Sequence, residues 1–348
     1  MDLIKPRDNP YLVGHEVQEK LILDAWRNRV LHHAYLISGP KGIGKATFAY
    51  RMARFLLSAD ENKAENYKSL EISPNNDIFK QISANAHPDF KVIERGYIKT
   101  DRQKIYKALS SGNYMNEDDL AKLKKSAEIV VDDVREVCDF LAKSSAYGGW
   151  RIVIIDSVDE MNRSSANAIL KVLEEPPHRT MMLLVAHNPD TLLPTVRSRC
   201  AKLELKPLQD NITASLLRRY CSDLNESEVK KISVLAEGSI GKAMVYVDGN
   251  AVDFYDRIKK TVKDGKNFKI KDILEFSDIA VKDNNYELFK ELIGRFLAEQ
   301  ARSGINALTY TKLFDDFSRI FKQTESLNLD KRQVVMNMMV ALARAEQS

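Results

Sequence analysis

Gly39-Pro40-Lys41-Gly42-Ile43-Gly44-Lys45-Ala46 is the stretch whose reading decides the fold. It carries the spacing G-x-x-x-x-G-K of a phosphate-binding loop. Glycines let backbone N–H groups turn inward around phosphate oxygens, and the lysine adds positive charge. The next residue in such loops is Ser or Thr, whose hydroxyl ligates Mg²⁺. Here it is Ala46, whose methyl group ligates nothing, and Thr47 comes one place late, on a different face of the following helix. The loop follows an apolar run, Ala34-Tyr35-Leu36-Ile37-Ser38, and opens a helix predicted over 46–57. A strand before and a helix after are the context in which a glycine-rich turn becomes a nucleotide site.

Working outward, four further apolar runs read as strands. They are Phe90-Lys91-Val92-Ile93, Arg151-Ile152-Val153-Ile154-Ile155-Asp156, and the runs 181–186 and 200–205. Runs buried on both faces and separated by helices imply a parallel α/β sheet. The polar stretch 97–125 reads as a surface excursion, part helix and part loop. Asp132 and Asp133 open a helix, where carboxylates suit the dipole.

After about Pro207 the strand signal vanishes. Val229, Ile232, Leu235 and Ala236 share one helical face, with Gly238 as a C-cap, and a helix resumes near Gly241. From about 251 onward three apolar stripes recur: Leu288 to Leu297, Leu313 to Ile320, and Val334 to Leu342. Stripes that broad bury against other helices, so the C-terminal part reads as a helical bundle.

The 348 residues allow two or three domains. Net charge is +4, so the whole-chain balance does not demand a nucleic-acid partner. The three cysteines, Cys138, Cys200 and Cys221, lie far apart with no C-x₂-C pair, which excludes a zinc ribbon and disfavours a disulfide framework. No apolar run approaches about 18 residues, and the N-terminus lacks a signal-peptide core, so a cytoplasmic protein with no membrane contact is the expectation.

An ATPase with this loop needs a second acid site. A strand ends in Asp, which holds Mg²⁺, and the next residue is Glu, which polarises the attacking water. Here Asp156 ends the strand and Ser157 takes the Glu position. A serine hydroxyl is a poor base at neutral pH. Two catalytic parts are therefore missing from one site.

The string Asn167-Ala168-Ile169-Leu170-Lys171-Val172-Leu173-Glu174-Glu175-Pro176-Pro177 reads as a helix stopped by a double proline, with Leu170 and Leu173 inward. It also matches a signature of sliding-clamp loaders, and Ser198-Arg199-Cys200 matches their S-R-C motif. His87-Pro88-Asp89, Gly149-Trp150-Arg151 and His32 to Pro40 add to the match. On these strings the chain resembles the AAA+ clamp-loader subunits of bacterial DNA polymerase III, most of all the delta-prime type, densely from Tyr11 to Leu205.

The resemblance implies an AAA+ P-loop domain over 1–206, a helical lid over 207–248 and a helical collar over 249–348. It implies ATP-driven loading of a sliding clamp onto primed DNA, with gamma/tau and delta subunits as partners and non-specific contact to DNA phosphates. It also implies a degenerate nucleotide site at Gly39, Gly42, Gly44, Lys45, Thr47 and Asp156, binding ATP or ADP without turning it over and requiring no cofactor. The lid arginine of hydrolysing members, which follows Gly-Ser-x, is here Gly241 after Gly238-Ser239-Ile240, and Lys242 stands one place too late. Arg199 is implied as an arginine finger acting in trans on a neighbour's ATP, because a guanidinium keeps its charge and presents fixed donors. Many relatives carry a four-cysteine zinc module before H-P-D. The stretch 62–86 has no cysteine, so neither zinc nor any other metal is expected. Two alternatives stay open: an active gamma/tau-type ATPase, with Thr47 or a nearby acid rescuing the metal, and a stand-alone nucleotide-binding regulator.

Overall fold

Five strands form one parallel sheet in the computed structural model, which describes residues 4–113, 115–116, 119–120, 122–265, 269–282, 285–304 and 306–345. In chain order the first part runs α1 (Glu16–Arg27), β1 (Ala34–Ser38), α2 (Lys45–Ser58), α3 (Asp77–Ser83), β2 (Phe90–Ile93), α4 (Lys99–Ser110), α5 (Val131–Ala142) and β3 (Arg151–Ile155). It continues with α6 (Arg163–Ala168), α7 (Leu170–Glu174), β4 (Thr180–Ala186), α8 (Pro194–Arg197) and β5 (Ala201–Glu204). The strand order is β2-β3-β4-β1-β5. The expected parallel α/β sheet with its P-loop is therefore present, and all five strands lie within a residue of their predicted runs.

Alternation along each strand divides the core into two layers. Tyr35 and Ile37 of β1, Ile152 and Ile154 of β3, and Met181, Leu183 and Val185 of β4 pack with α1 and α2. Leu36, Val153, Ile155, Met182 and Leu184 pack on the other face with α5, α6 and α7. Full burial of each such side chain is worth about 1.5–3 kcal/mol, which is why the central strands read as unbroken apolar runs.

The register sets the site. Ser38 pairs with Ala186 on one side and Glu204 on the other, and Ile155 pairs with Leu184. The phosphate loop, Asp156, His187 and Leu205 therefore all emerge at the carboxyl edge of the sheet, where open α/β sheets place ligands.

The helix expected before the double proline is broken. Ile169 separates α6 from α7, and the inward residues are Ile169, Val172 and Leu173, while Leu170 is only partly buried. Within the excursion 97–125, α4 is the helical piece, and residues 114, 117, 118 and 121 lie outside the described set.

The rest is helical: α9 (Asp210–Tyr220), α10 (Glu226–Leu235), α11 (Ile240–Asp248), α12 (Ala251–Asp264), α13 (Ile270–Ala280), α14 (Asn285–Ser303), α15 (Ala307–Leu327) and α16 (Lys331–Ala345). Contacts divide the chain into two compact units. One holds 2–212 with 238–241; the other holds 213–237 with 242–348. In the helical unit, the stripe from Leu288 to Leu297 on α14 and the Val334–Leu342 stripe on α16 are buried. The α15 stripe buries only Phe317 fully, and Phe314 is 41% exposed. A capping box opens α10, with Asn225 and Glu228 exchanging side-chain and backbone bonds.

Candidate functional site

The loop at Gly39 is fixed by its carbonyls. Lys45 Nζ donates to the Gly39 and Pro40 carbonyls at 2.7 and 2.6 Å. Ser239 Oγ donates to the Lys41 carbonyl at 2.8 Å, and the Gly241 amide donates to the Gly42 carbonyl at 2.9 Å. His15 Nε2 meets the Ile43 carbonyl at 2.8 Å, and Phe48 N–H closes on the Gly44 carbonyl at 2.8 Å. Among the described residues the N–H groups from Gly42 to Ala46 meet no acceptor, the condition for an anion-binding nest.

Glycine is required at two of these points. A Cβ at Gly39 would lie 2.3 Å from the Leu205 carbonyl, and φ there is +142°. A Cβ at Gly42 would lie 2.4 Å from Ser239 Oγ, with φ at +80°. The segment 238–241 thus rests directly on the loop, and a Cβ at Gly241 would come within 2.8 Å of Gly42 Cα. Gly241, which the resemblance sets at the place of a lid arginine, is in backbone contact with the phosphate loop.

Lys45 is 3% exposed. Burial draws its pKa down to about 8, against the opposing pull of Asp156 and Asp159. Its ammonium grips its own loop. Thr47 is buried in the first turn of α2.

At the end of β3, burial raises the pKa of Asp156, with Glu94 adding to the shift and Lys45 opposing it. Ser157 takes a left-handed conformation, φ +63°, and its Oγ lies 3.2 Å from His187 Nε2. His187 has its pKa lowered by burial and then by Lys45, so the pair is neutral at ordinary pH. Asp159 is absorbed elsewhere: its carboxylate accepts from the backbone N–H groups of His187 and Asn188 at 2.9–3.2 Å. No carboxylate occupies the water-polarising position after Asp156.

These residues fit a phosphate group better than a metal–triphosphate. The nest and Lys45 suit an anion, but Ala46 offers no hydroxyl to a metal, and among the described residues no three His, Cys, Asp or Glu side chains cluster as metal ligands.

Arg199 lies between α8 and β5. Its Nη1 donates to the Thr195 carbonyl at 2.9 Å and to Ser198 Oγ at 3.4 Å, and its Nη2 pairs with Glu174 Oε1 at 2.7 Å. The two signature strings therefore meet: Glu174 is the last residue of α7, and Arg199 is the centre of S-R-C. The side chains are 34% and 49% exposed for Arg199 and Glu174. Arg197 turns instead to Asp190 at 2.9 Å.

The other matching strings are structural. Asp89 accepts from Ser145 Oγ and from the Ala146 and Tyr147 amides at 2.8–3.2 Å, while its own amide bonds His87 Nδ1 at 3.1 Å. Arg151 donates to the Phe140 and Lys143 carbonyls, closing the C-terminus of α5. His33 Nε2 bonds the Leu173 carbonyl at 3.0 Å. Lys242 pairs with Glu291 at 2.6 Å in the helical unit. His15, Ser239, Asp159 and Glu174 had no site role in the sequence. Glu174 carried a signal in its place in the L-E-E-P-P string, Ser239 in the Gly238-Ser239-Ile240 string, and Asp159 as an acid near Ser157; His15 carried none.

Comparison with known proteins gives the family. The family model for DNA polymerase III, delta subunit, matches residues 14–209. DNA polymerase III subunit delta′ of Pseudomonas aeruginosa is 31% identical over 214 residues, 60% of this chain and 53% of that protein. The delta′ subunit of Escherichia coli is 28% identical over 232 residues, 67% of this chain and 59% of that protein. The tau/gamma subunit of Haemophilus influenzae is 26% identical over 257 residues, 73% of this chain and 32% of that protein. The chain thus spans only a third to about three fifths of these relatives' lengths. A family match over more than half the chain, residues 14–209, means that the chain belongs to the DNA polymerase III, delta subunit, family.

Proposed function

We propose that this chain works as a delta-prime-type subunit of a DNA polymerase III clamp loader, helping a complex use ATP to place a sliding clamp on primed DNA. In this reading it hydrolyses no ATP itself. It adjoins a gamma/tau-type subunit, joins a delta subunit in the same assembly, and donates Arg199 to the neighbour's nucleotide. Its own loop, from Gly39 to Lys45, holds at most the phosphates of ATP or ADP. A bound nucleotide there would supply only a structural anion.

The observation that carries the reading is Gly241 on Gly42. The hydroxyl at 46, the base at 157 and the arginine at 241 are three parts of one reaction, and the third is replaced by a packed backbone contact. Transition-state charge on a transferring phosphoryl group needs such donors. Arg199, by contrast, keeps donors available at the surface. A guanidinium has five N–H groups. Nη1 donates to Thr195 and Ser198 and Nη2 forms an ion pair with Glu174, so Nε–H and the Nη2 edge are the donors this reading assigns to phosphate oxygens.

The test has two arms. The purified chain should show no ATP turnover, and turnover abolished by Lys45→Ala would reinstate the ATPase alternative. Assembled with gamma/tau and delta subunits, Arg199→Ala should lower turnover at the adjoining site by about tenfold or more. A chain that neither assembles with these subunits nor changes their turnover is a stand-alone regulator.

A further inference from the structure

We propose that Glu174 is a positioning residue for Arg199: it holds the guanidinium in the conformation that a neighbouring subunit's ATP phosphate meets. The inference rests on the finger reading above and deepens it.

The ion pair has little to do with holding the fold. Both partners are more than a third exposed, 34% for Arg199 and 49% for Glu174, and exposed pairs add little stability. Yet both anchors are rigid. Glu174 closes α7, and Pro176-Pro177 forbid the helix from continuing. The Leu173 carbonyl beside it is bonded to His33 Nε2 at 3.0 Å, which ties the end of α7 to the segment leading into β1. On the other side, α8 opens with Pro194, and the Ser198 amide returns to the Pro194 carbonyl at 2.9 Å. A carboxylate fixed by one element therefore restrains a guanidinium carried by another.

That restraint matters to a residue acting across a boundary. A free arginine loses much rotamer entropy when it docks. Holding it beforehand removes this cost from the docked state, which is how preorganised groups accelerate a step. Two hydrogen bonds from Nη1 and the ion pair at Nη2 restrain the side chain, and Nε–H has no part in them, so the finger is held without being used up. Glu175, one residue on, sits outside the helix as its C-cap.

The experiment measures ATP turnover by the assembled complex, with the other ATP sites inactivated, for Glu174→Ala, Glu174→Gln, Glu174→Asp, Arg199→Ala and the double variant Glu174→Ala/Arg199→Ala. Thermal melts and gel filtration confirm that each variant folds and assembles; Glu174→Gln keeps the shape and an acceptor oxygen if the alanine variant does not. Glu174→Ala should lower kcat by about three- to tenfold with KM for ATP unchanged, as loss of a transition-state contact requires. Glu174→Gln should fall between it and the parent, and Glu174→Asp should recover part of the loss. The double variant should be no slower than Arg199→Ala alone, since residues acting through one group are non-additive. A normal kcat in Glu174→Ala, where Arg199→Ala is impaired, overturns the proposal while leaving the finger reading intact. An equal further loss in the double variant overturns it too. A normal rate in Arg199→Ala removes the finger and the proposal with it.

Discussion

The amide of Gly241 donates to the carbonyl of Gly42 across 2.9 Å, and a Cβ at 241 would sit 2.8 Å from the Gly42 Cα. The space an arginine would need at this position is taken by backbone. Gly241→Arg should therefore lower stability by about 1–3 kcal/mol, the usual cost of forcing bulk into a packed contact, and should give no ATP turnover. A melt and a turnover assay check both; a variant as stable as the parent would show that segment 238–241 yields freely.

Restoring the metal ligand alone should fail as well. Ala46→Ser returns a hydroxyl, but Ser157 remains bonded to His187 with no carboxylate behind it, and a hydroxyl is a poor base. We expect no turnover from Ala46→Ser, measured by phosphate release from the isolated chain. Measurable release would mean that the water-polarising group is supplied elsewhere.

Lys45 gives a pH signature. Its folded pKa is about 8, below the ordinary lysine value near 10.5, so between those values the unfolded chain binds a proton that the folded chain releases. Stability then rises with pH from about 8 to 10.5 and is flat below, as linkage requires. Lys45→Met should remove that slope in denaturant melts taken across the window. It should also be at least as stable as the parent at pH 7, because the buried cation is gone. A slope that survives the substitution would assign it to another group.

Asp89 carries the H-P-D string's role. It gathers three donors from residues 145–147. Asp89→Asn turns one acceptor oxygen into a donor facing N–H or O–H groups, and the cost should be about 1–3 kcal/mol. Chemical denaturation reads it, and ATP turnover in an assembled complex should be unchanged when the variant is folded.

Much of this was legible in the sequence. Unbroken apolar runs, buried on both faces, placed β1, β3 and β4, and the glycine loop and the acid-ended strand named the residues of the nucleotide site. What sequence could not give were contacts between distant residues. Gly241 meets Gly42, and His15 meets Ile43, with no local pattern to announce either. Asp159 looked like a spare acid beside Ser157, but it is spent on the N–H groups of His187 and Asn188. Ile169 broke a helix that periodicity alone drew as continuous, and Phe314 showed that an apolar stripe need not be covered along its whole length.

The seat of segment 238–241 on the loop has a bearing on descent. A lost hydroxyl or a lost base is one substitution away from recovery. A glycine pair whose main chains have closed on each other is not, because the missing cation has nowhere to return until the strap itself moves. On the proposed reading the three absences therefore differ in kind: two are open to a single side-chain change, and the third is shut by main chain.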